Sequence, residues 1–133
     1  MNIEMPVYWT NVKKTKANTT HLISMSWYRN AFYHAQNALK KDIGEIVKAK
    51  LKAAGMKPLK GQFEVAYTYY YKNKTSDLLN CGAMSSKILL DVLQEEGYVI
   101  NDNVQFCIKE VFEVGIQDRD NPRMVIEIKE VKE

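Results

Sequence analysis

The hydrophobic positions of this chain follow two different periods. Between residues 26 and 54, Trp27, Ala31, Ala35, Ala38, Ile43, Ile46, Val47 and Ala54 recur at three- and four-residue spacing, and Gly55 supplies a stop. That spacing predicts one long helix. Lys40, Lys41, Lys48 and Lys52 occupy much of its wet side, and Gly44 interrupts it where a bend is permitted, although a Gly in a helix more often only costs about 1 kcal/mol. Over residues 62–72 the period changes to two. Phe63, Val65, Tyr67, Tyr69 and Tyr71 share one face and Glu64, Ala66, Thr68, Tyr70 and Lys72 the other, which predicts a strand. A second helix is expected over 77–96, closed by Gly97. A short strand over 98–100, a turn at Asn101-Asp102-Asn103, a strand over about 104–114 and a turn over 117–123 follow. The final strand, 124–131, alternates Met124, Ile126 and Ile128 inward. Ahead of the first helix, residues 3–9 read as a short strand. Residues 10–20, TNVKKTKANTT, have no hydrophobic period and read as a mobile loop. The order of elements predicts one α+β domain over residues 1–133, a mixed β-sheet packed by two main helices, with no internal repeat.

A length of 133 residues suits a single packed core, and 46% hydrophobic with 26% charged residues is an ordinary globular balance that excludes collagenous and low-complexity classes. No apolar run approaches the roughly 18 residues of a membrane span, and the start MNIEMPVYW lacks a signal peptide's basic flank and apolar core. A cytoplasmic protein with no membrane partner is expected. Cys81 and Cys107 are too few for a disulfide framework or a four-cysteine zinc site, so both are expected as buried free thiols. Net charge is +3, unevenly spread. Residues 1–60 carry eleven Lys/Arg against three Asp/Glu, and residues 61–133 eight against thirteen. The basic half suits a polyanion and the acidic half suits metal binding or catalysis, although a solvated basic helix gives the same count.

The second predicted helix carries the sharpest pattern. At about 100° per residue, Asn80, Met84, Lys87 and Asp91 fall in one narrow stripe, with Asp77 a turn ahead. Leu79, Ala83, Leu90 and Leu93 flank it on one side and Leu78, Cys81, Ile88, Leu89 and Val92 on the other, so the helix should be largely buried and its stripe should border a cleft. Carboxylates that hold a hard cation, beside an ammonium that meets phosphate charge, are what a metal-dependent phosphodiester enzyme needs. A structural reading stands beside this one. Asp77 serves equally as an N-cap and Asp102 as a turn residue, while a Lys-Asp pair four residues apart supports many solvated helices. Lys87 precedes Asp91, which is the weaker order for such support. The pattern leaves both readings open. His21 and His34 lack partners at ligand spacing and receive no role, and the tyrosines at 67, 69, 70 and 71 read as packing. There is no glycine-rich phosphate loop, no Gly-x-Ser-x-Gly and no cysteine-histidine dyad, so neither a nucleotide cofactor nor acyl transfer is expected.

Ser76-Asp77-Leu78-Leu79-Asn80, then Lys87-Ile-Leu-Leu-Asp91-Val-Leu, then Gly97-Tyr-Val-Ile-Asn101-Asp102-Asn103 resemble, in order and spacing, the RusA family of Holliday junction resolvases. His21-Leu-Ile-Ser-Met-Ser-Trp27-Tyr28-Arg29-Asn30 is similar to the segment that opens the first helix in members from phages of Gram-positive bacteria. The resemblance implies a RusA-like, homodimeric endodeoxyribonuclease, phage or prophage encoded, acting in DNA recombination and repair. Such an enzyme binds four-way junction DNA and cuts two opposed strands with Mg²⁺ or Mn²⁺. It further implies that Asp77, Asp102 and Asp91 hold the metal, that Lys87 stabilises transition-state oxygens, and that Asn80 orients an aspartate or a metal-bound water. Lys13, Lys14, Lys16, Arg29, Lys72 and Lys74 would hold phosphates. Leu79 and Asn101 stand where the family's signature has two further aspartates. The alternative of the same fold is a junction- or DNA-binding protein that does not cut.

Overall fold

A computed structural model describes residues 1–131; Lys132 and Glu133 of the expected domain lie outside the described residues. In chain order the elements are β1 (Asn2–Pro6), β2 (Tyr8–Asn11), β3 (Thr19–Leu22), α1 (Met25–Asn30), α2 (Tyr33–Ala53), β4 (Phe63–Tyr70), α3 (Leu78–Glu95), β5 (Cys107–Val114) and β6 (Arg123–Glu130). Four strands form a mixed sheet in the order β1-β6-β4-β5, with β4 and β5 parallel and the other neighbours antiparallel. β2 and β3 form a separate hairpin. The architecture is α+β.

Strict alternation in β4 buries Phe63, Val65, Tyr67 and Tyr69 on one face, and the β6 register sets Ile128, Ile126 and Met124 opposite Val65, Tyr67 and Tyr69. Leu39, Ile43, Val47 and Leu51 of α2 and Cys81, Met84, Ile88 and Leu89 of α3 close over that face. Each large apolar side chain so buried contributes about 1.5–3 kcal/mol. Gly82 lets α3 approach β5 closely, because a Cβ there would lie 2.5 Å from the Phe112 ring, which is itself stacked on Tyr67 at 4.7 Å.

Three local expectations are corrected. The single helix expected over 26–54 is two helices, because Ala31 and Phe32 are extended, with ψ 151° and 149°. Ser24 caps α1 by accepting from the Trp27 backbone N–H at 3.2 Å, and Trp27 packs edge-on against Trp9 at 5.5 Å, so α1 follows the hairpin rather than α2. α2 is continuous through Gly44. The loop expected over 10–20 shrinks to residues 12–18, since Thr10 and Asn11 pair with Thr20 and Thr19. The strand expected over 98–100 is absent. Gly97 adopts φ 75°, its N–H bonds to Gln94 and that of Tyr98 to Leu93, so these residues are used in closing the last turn of α3. Both cysteines are free and Cys81 is buried as expected, whereas Cys107 is only half-buried. No helix among the described residues is long and apolar enough to cross a membrane.

Candidate functional site

The polar stripe of α3 begins at its cap. Asp77 is extended and its Oδ1 accepts from the Asn80 backbone N–H at 3.1 Å, which satisfies one of the unpaired donors of the first turn. The Asn80 side chain turns outward and its Oδ1 accepts from the backbone N–H and the hydroxyl of Ser26, at 2.9 and 3.2 Å. One asparagine therefore ties the start of α1 to the start of α3. Tyr28, two residues on, carries two cations near its ring, with Lys40 Nζ 5.8 Å and Lys87 Nζ 5.9 Å from the centroid. Both are within the range of a cation–π contact. Met84, the apolar member of the stripe, is fully buried.

The other basic residues singled out in the sequence are on the surface. Lys72 Nζ lies 5.6 Å from the Tyr8 ring centroid, which places the segment after β4 against the first residue of β2. Lys74 is exposed in the same segment, Arg29 is exposed in the last turn of α1, and Lys13, Lys14 and Lys16 are exposed in the hairpin loop. Trp9, His21 and Trp27 form an aromatic cluster, with His21 5.2 Å from Trp27 and Trp9 Nε1 donating to Asp42 at 2.8 Å.

Asp91 and Asp102 are elsewhere. Asp91 lies fourteen residues beyond Asp77 on the same helix, about 21 Å along its axis at 1.5 Å per residue. It lines a groove of about 230 Å³ between α2 and α3 with Lys40, Lys41, Glu45, Lys48 and Glu95. Lys48 is paired there with Glu96 at 3.3 Å, and that contact raises its pKa. Asp102 is half-buried in a turn shaped by its neighbours, where Asn101 Oδ1 accepts from the Asn103 N–H and Asn103 Oδ1 from the Gln105 N–H, each at 3.1 Å. The turn precedes β5 at the Phe63 end of the sheet, whereas Asp77 follows β4 at the Tyr70 end.

The expected metal set of Asp77, Asp91 and Asp102 is therefore not assembled within one chain. Among the described residues no group of three or more His, Cys, Asp or Glu is placed to hold a metal ion. The physical reason is axial distance. A helical stripe aligns residues in angle but spreads them along the axis, and cation ligands must converge within about 2.6 Å of one point.

Lys40 and Ser26 join the site although the pattern gave them no role there. Lys40 counted only as part of the wet side of a helix, and no spacing signal links residues 26 and 80. Glu110 is a further half-buried carboxylate on the helix side of β5, accepting from the Tyr67 hydroxyl at 2.7 Å and the Ser86 hydroxyl at 2.6 Å. Those bonds fasten α3 to the sheet. Burial, reinforced by Glu110, pushes the Tyr67 phenol far up, so it remains a donor. Burial likewise holds the Cys81 thiol up and pushes Cys107 to about 11, which leaves both thiols protonated and unreactive near neutral pH.

No family model matches the chain, and no curated protein matches it.

Proposed function

We propose that this chain is a structure-specific endodeoxyribonuclease that acts on four-way DNA junctions as a homodimer, with Mg²⁺ or Mn²⁺, in recombination and repair in the cytoplasm of a bacterial host. The observation that carries this reading is the meeting of α1, α2 and α3 at Ser26 and Tyr28. Asp77 and Asn80 are joined through Ser26 to α1, whose Tyr28 ring has Lys40 Nζ at 5.8 Å and Lys87 Nζ at 5.9 Å from its centroid. Two ammonium groups held at one tyrosine suit a phosphodiester whose charge must be met while its backbone is held. In this reading Lys87 and Lys40 bind phosphate oxygens, Asn80 fixes the relative position of α1 and α3, and Lys13, Lys14, Lys16, Arg29, Lys72 and Lys74 hold flanking phosphates. Phosphate contacts of this kind set position and register on the duplex.

Within one chain the donors do not fit the three-carboxylate metal centre that the resemblance implies, since Asp77 is the only one of the three aspartates at this end of α3. That observation favours a second reading, a junction-binding protein that does not cut, and Leu79 and Asn101 lean the same way.

The test is a labelled synthetic four-way junction with linear duplex as control, incubated in Mg²⁺, Mn²⁺ or EDTA, with binding followed by gel shift. Paired nicks confined to the junction and lost in EDTA are expected. Tight junction binding without nicks in either metal establishes the second reading, and absence of any DNA affinity at low salt sinks both.

A further inference from the structure

The break between α1 and α2 leaves two adjacent aromatic side chains in solvent. Phe32 is 85% exposed and Tyr33 64%, and every other aromatic residue among the described ones is buried or half-buried. Hydrogen bonds tie down both sides of the break. Asn30 Nδ2 donates to the Ser26 carbonyl at 2.8 Å, Gln36 Nε2 to the Tyr28 carbonyl at 2.5 Å, and the Gln36 backbone N–H to the Phe32 carbonyl at 3.0 Å. The Tyr33 ring lies 4.0 Å from that of His34. A single exposed apolar residue needs no explanation, but two rings side by side at a fastened corner present a flat surface already ordered for a partner.

The charge along this stretch has one sign. Residues 5–41 contain Lys13, Lys14, Lys16, Arg29, Lys40 and Lys41 and no Asp or Glu. Arg29 is exposed three residues before Phe32. Lys40 follows Tyr33 by seven residues, so the two share one side of α2 about 10 Å apart along its axis. Lys40 Nζ stands there at the Tyr28 ring, as does Lys87 Nζ. Rings flanked by cations suit a nucleic-acid strand, whose phosphates meet the cations while its bases stack on the rings. An acidic protein surface would answer the cations alone.

Stacking also distinguishes one DNA from another. In a linear duplex each base face is covered by its neighbours, and a ring enters only by prising a base step apart. At the branch point of a four-way junction the stack of the arms is interrupted, so base faces are reached without that cost. We propose that Phe32 and Tyr33 stack on the bases opened at a branch point and set the preference for branched over linear DNA, while Arg29 and Lys40 hold the adjoining phosphates. The proposal rests on the junction reading given above and assigns the residues that recognise the branch.

Binding is measured by fluorescence anisotropy in EDTA, where cutting plays no part, on a four-way junction and on linear duplex. Phe32→Ala combined with Tyr33→Ala should weaken junction binding by about tenfold or more, the usual consequence of removing stacked rings, and duplex binding by less than about twofold. Both positions are exposed and Phe32 makes no side-chain cap bond, so the circular dichroism spectrum should match that of the parent. Phe32→Tyr combined with Tyr33→Phe keeps both rings and should keep the junction preference. Arg29→Ala combined with Lys40→Ala should weaken both DNAs alike. An alanine pair that loses equally on the two DNAs, or loses nothing on the junction, overturns the proposal. Nicking of junctions by a chain whose alanine pair keeps its preference refutes the stacking alone, whereas the expected discrimination without nicks in Mg²⁺ or Mn²⁺ refutes the nuclease reading alone. A folded chain with no DNA affinity at low salt overturns both.

Discussion

The two ends of α3 put their polar residues to different uses. At the first turn, Asp77 caps the helix and Asn80 holds α1, whose Tyr28 meets Lys40 of α2 and, from about two turns further along α3, Lys87. Over the last turns, Asp91 shares an open groove with the lysines of α2, Lys48 is engaged by Glu96, and backbone bonds at Gly97 and Tyr98 complete the terminus. The first end is held through one asparagine to a segment far away in sequence. The second pairs Lys48 with Glu96, just past the helix's own last residue. Residues that align in angle along a helix thus belong to different environments once the axial distance exceeds a few turns.

The largest test of that contrast is catalytic. Asp77→Asn should lower metal-dependent junction nicking by about 10³-fold or more, equivalent to about 4 kcal/mol of barrier, while Asp91→Asn should stay within about threefold of the parent. Initial rates on a labelled junction decide this, and equal losses in the two variants would erase the distinction. Next comes DNA affinity. Replacing Lys13, Lys14 and Lys16 together by alanine should reduce the slope of log affinity against log salt by about 2.7, at about 0.9 per phosphate contact. The triple change of Lys41, Lys48 and Lys52 should leave that slope unaltered. Salt titrations monitored by fluorescence anisotropy separate the two cases.

Stability sharpens the same comparison at smaller scale. Gly82→Ala forces a methyl against the Phe112 ring, which Tyr67 backs, and should destabilise by about 1–3 kcal/mol. At Gly44 the new methyl would meet Val92 at an ordinary 3.7 Å, so Gly44→Ala should stabilise α2 by about 0.5–1 kcal/mol. Urea midpoints of the two variants should move in opposite directions. A gentler effect is expected with alkali. Burial raises the pKa values of Tyr67, Cys81 and Cys107, so the native state holds protons that the unfolded chain releases first. Their contribution is complete below about pH 9 and declines as pH rises through the Cys107 value of about 11, so the urea midpoint should be lower at about pH 10.5 than at pH 8.

Much of the fold was legible because burial writes its period directly into the chain. Phe63 to Tyr69 alternate and are buried as that alternation requires, and α3 starts at Asp77 and is closed at Gly97 as its capping residues indicate. The break at Ala31 and Phe32 was not legible, since apolar spacing runs through it and the cause is the docking of Trp27 on Trp9 and His21. The hairpin was missed because its strands are four residues each and its second strand, Thr-Thr-His-Leu, has no apolar alternation. For the site, the stripe identified the face that Asp77, Asn80 and Lys87 share but not how far along it Asp91 lies. The lysine across from Lys87, and the serine that Asn80 holds, come from segments whose proximity only the tertiary packing creates.

The most direct measurement follows nicking of a labelled four-way junction by the full chain beside Asp77→Asn, in Mg²⁺, Mn²⁺ and EDTA. Paired nicks that need the metal and vanish in Asp77→Asn, while that variant still shifts the junction on a gel, are the expected result. Junction binding without nicks in either metal, or nicking undiminished in Asp77→Asn, would contradict a cutting site at the start of α3.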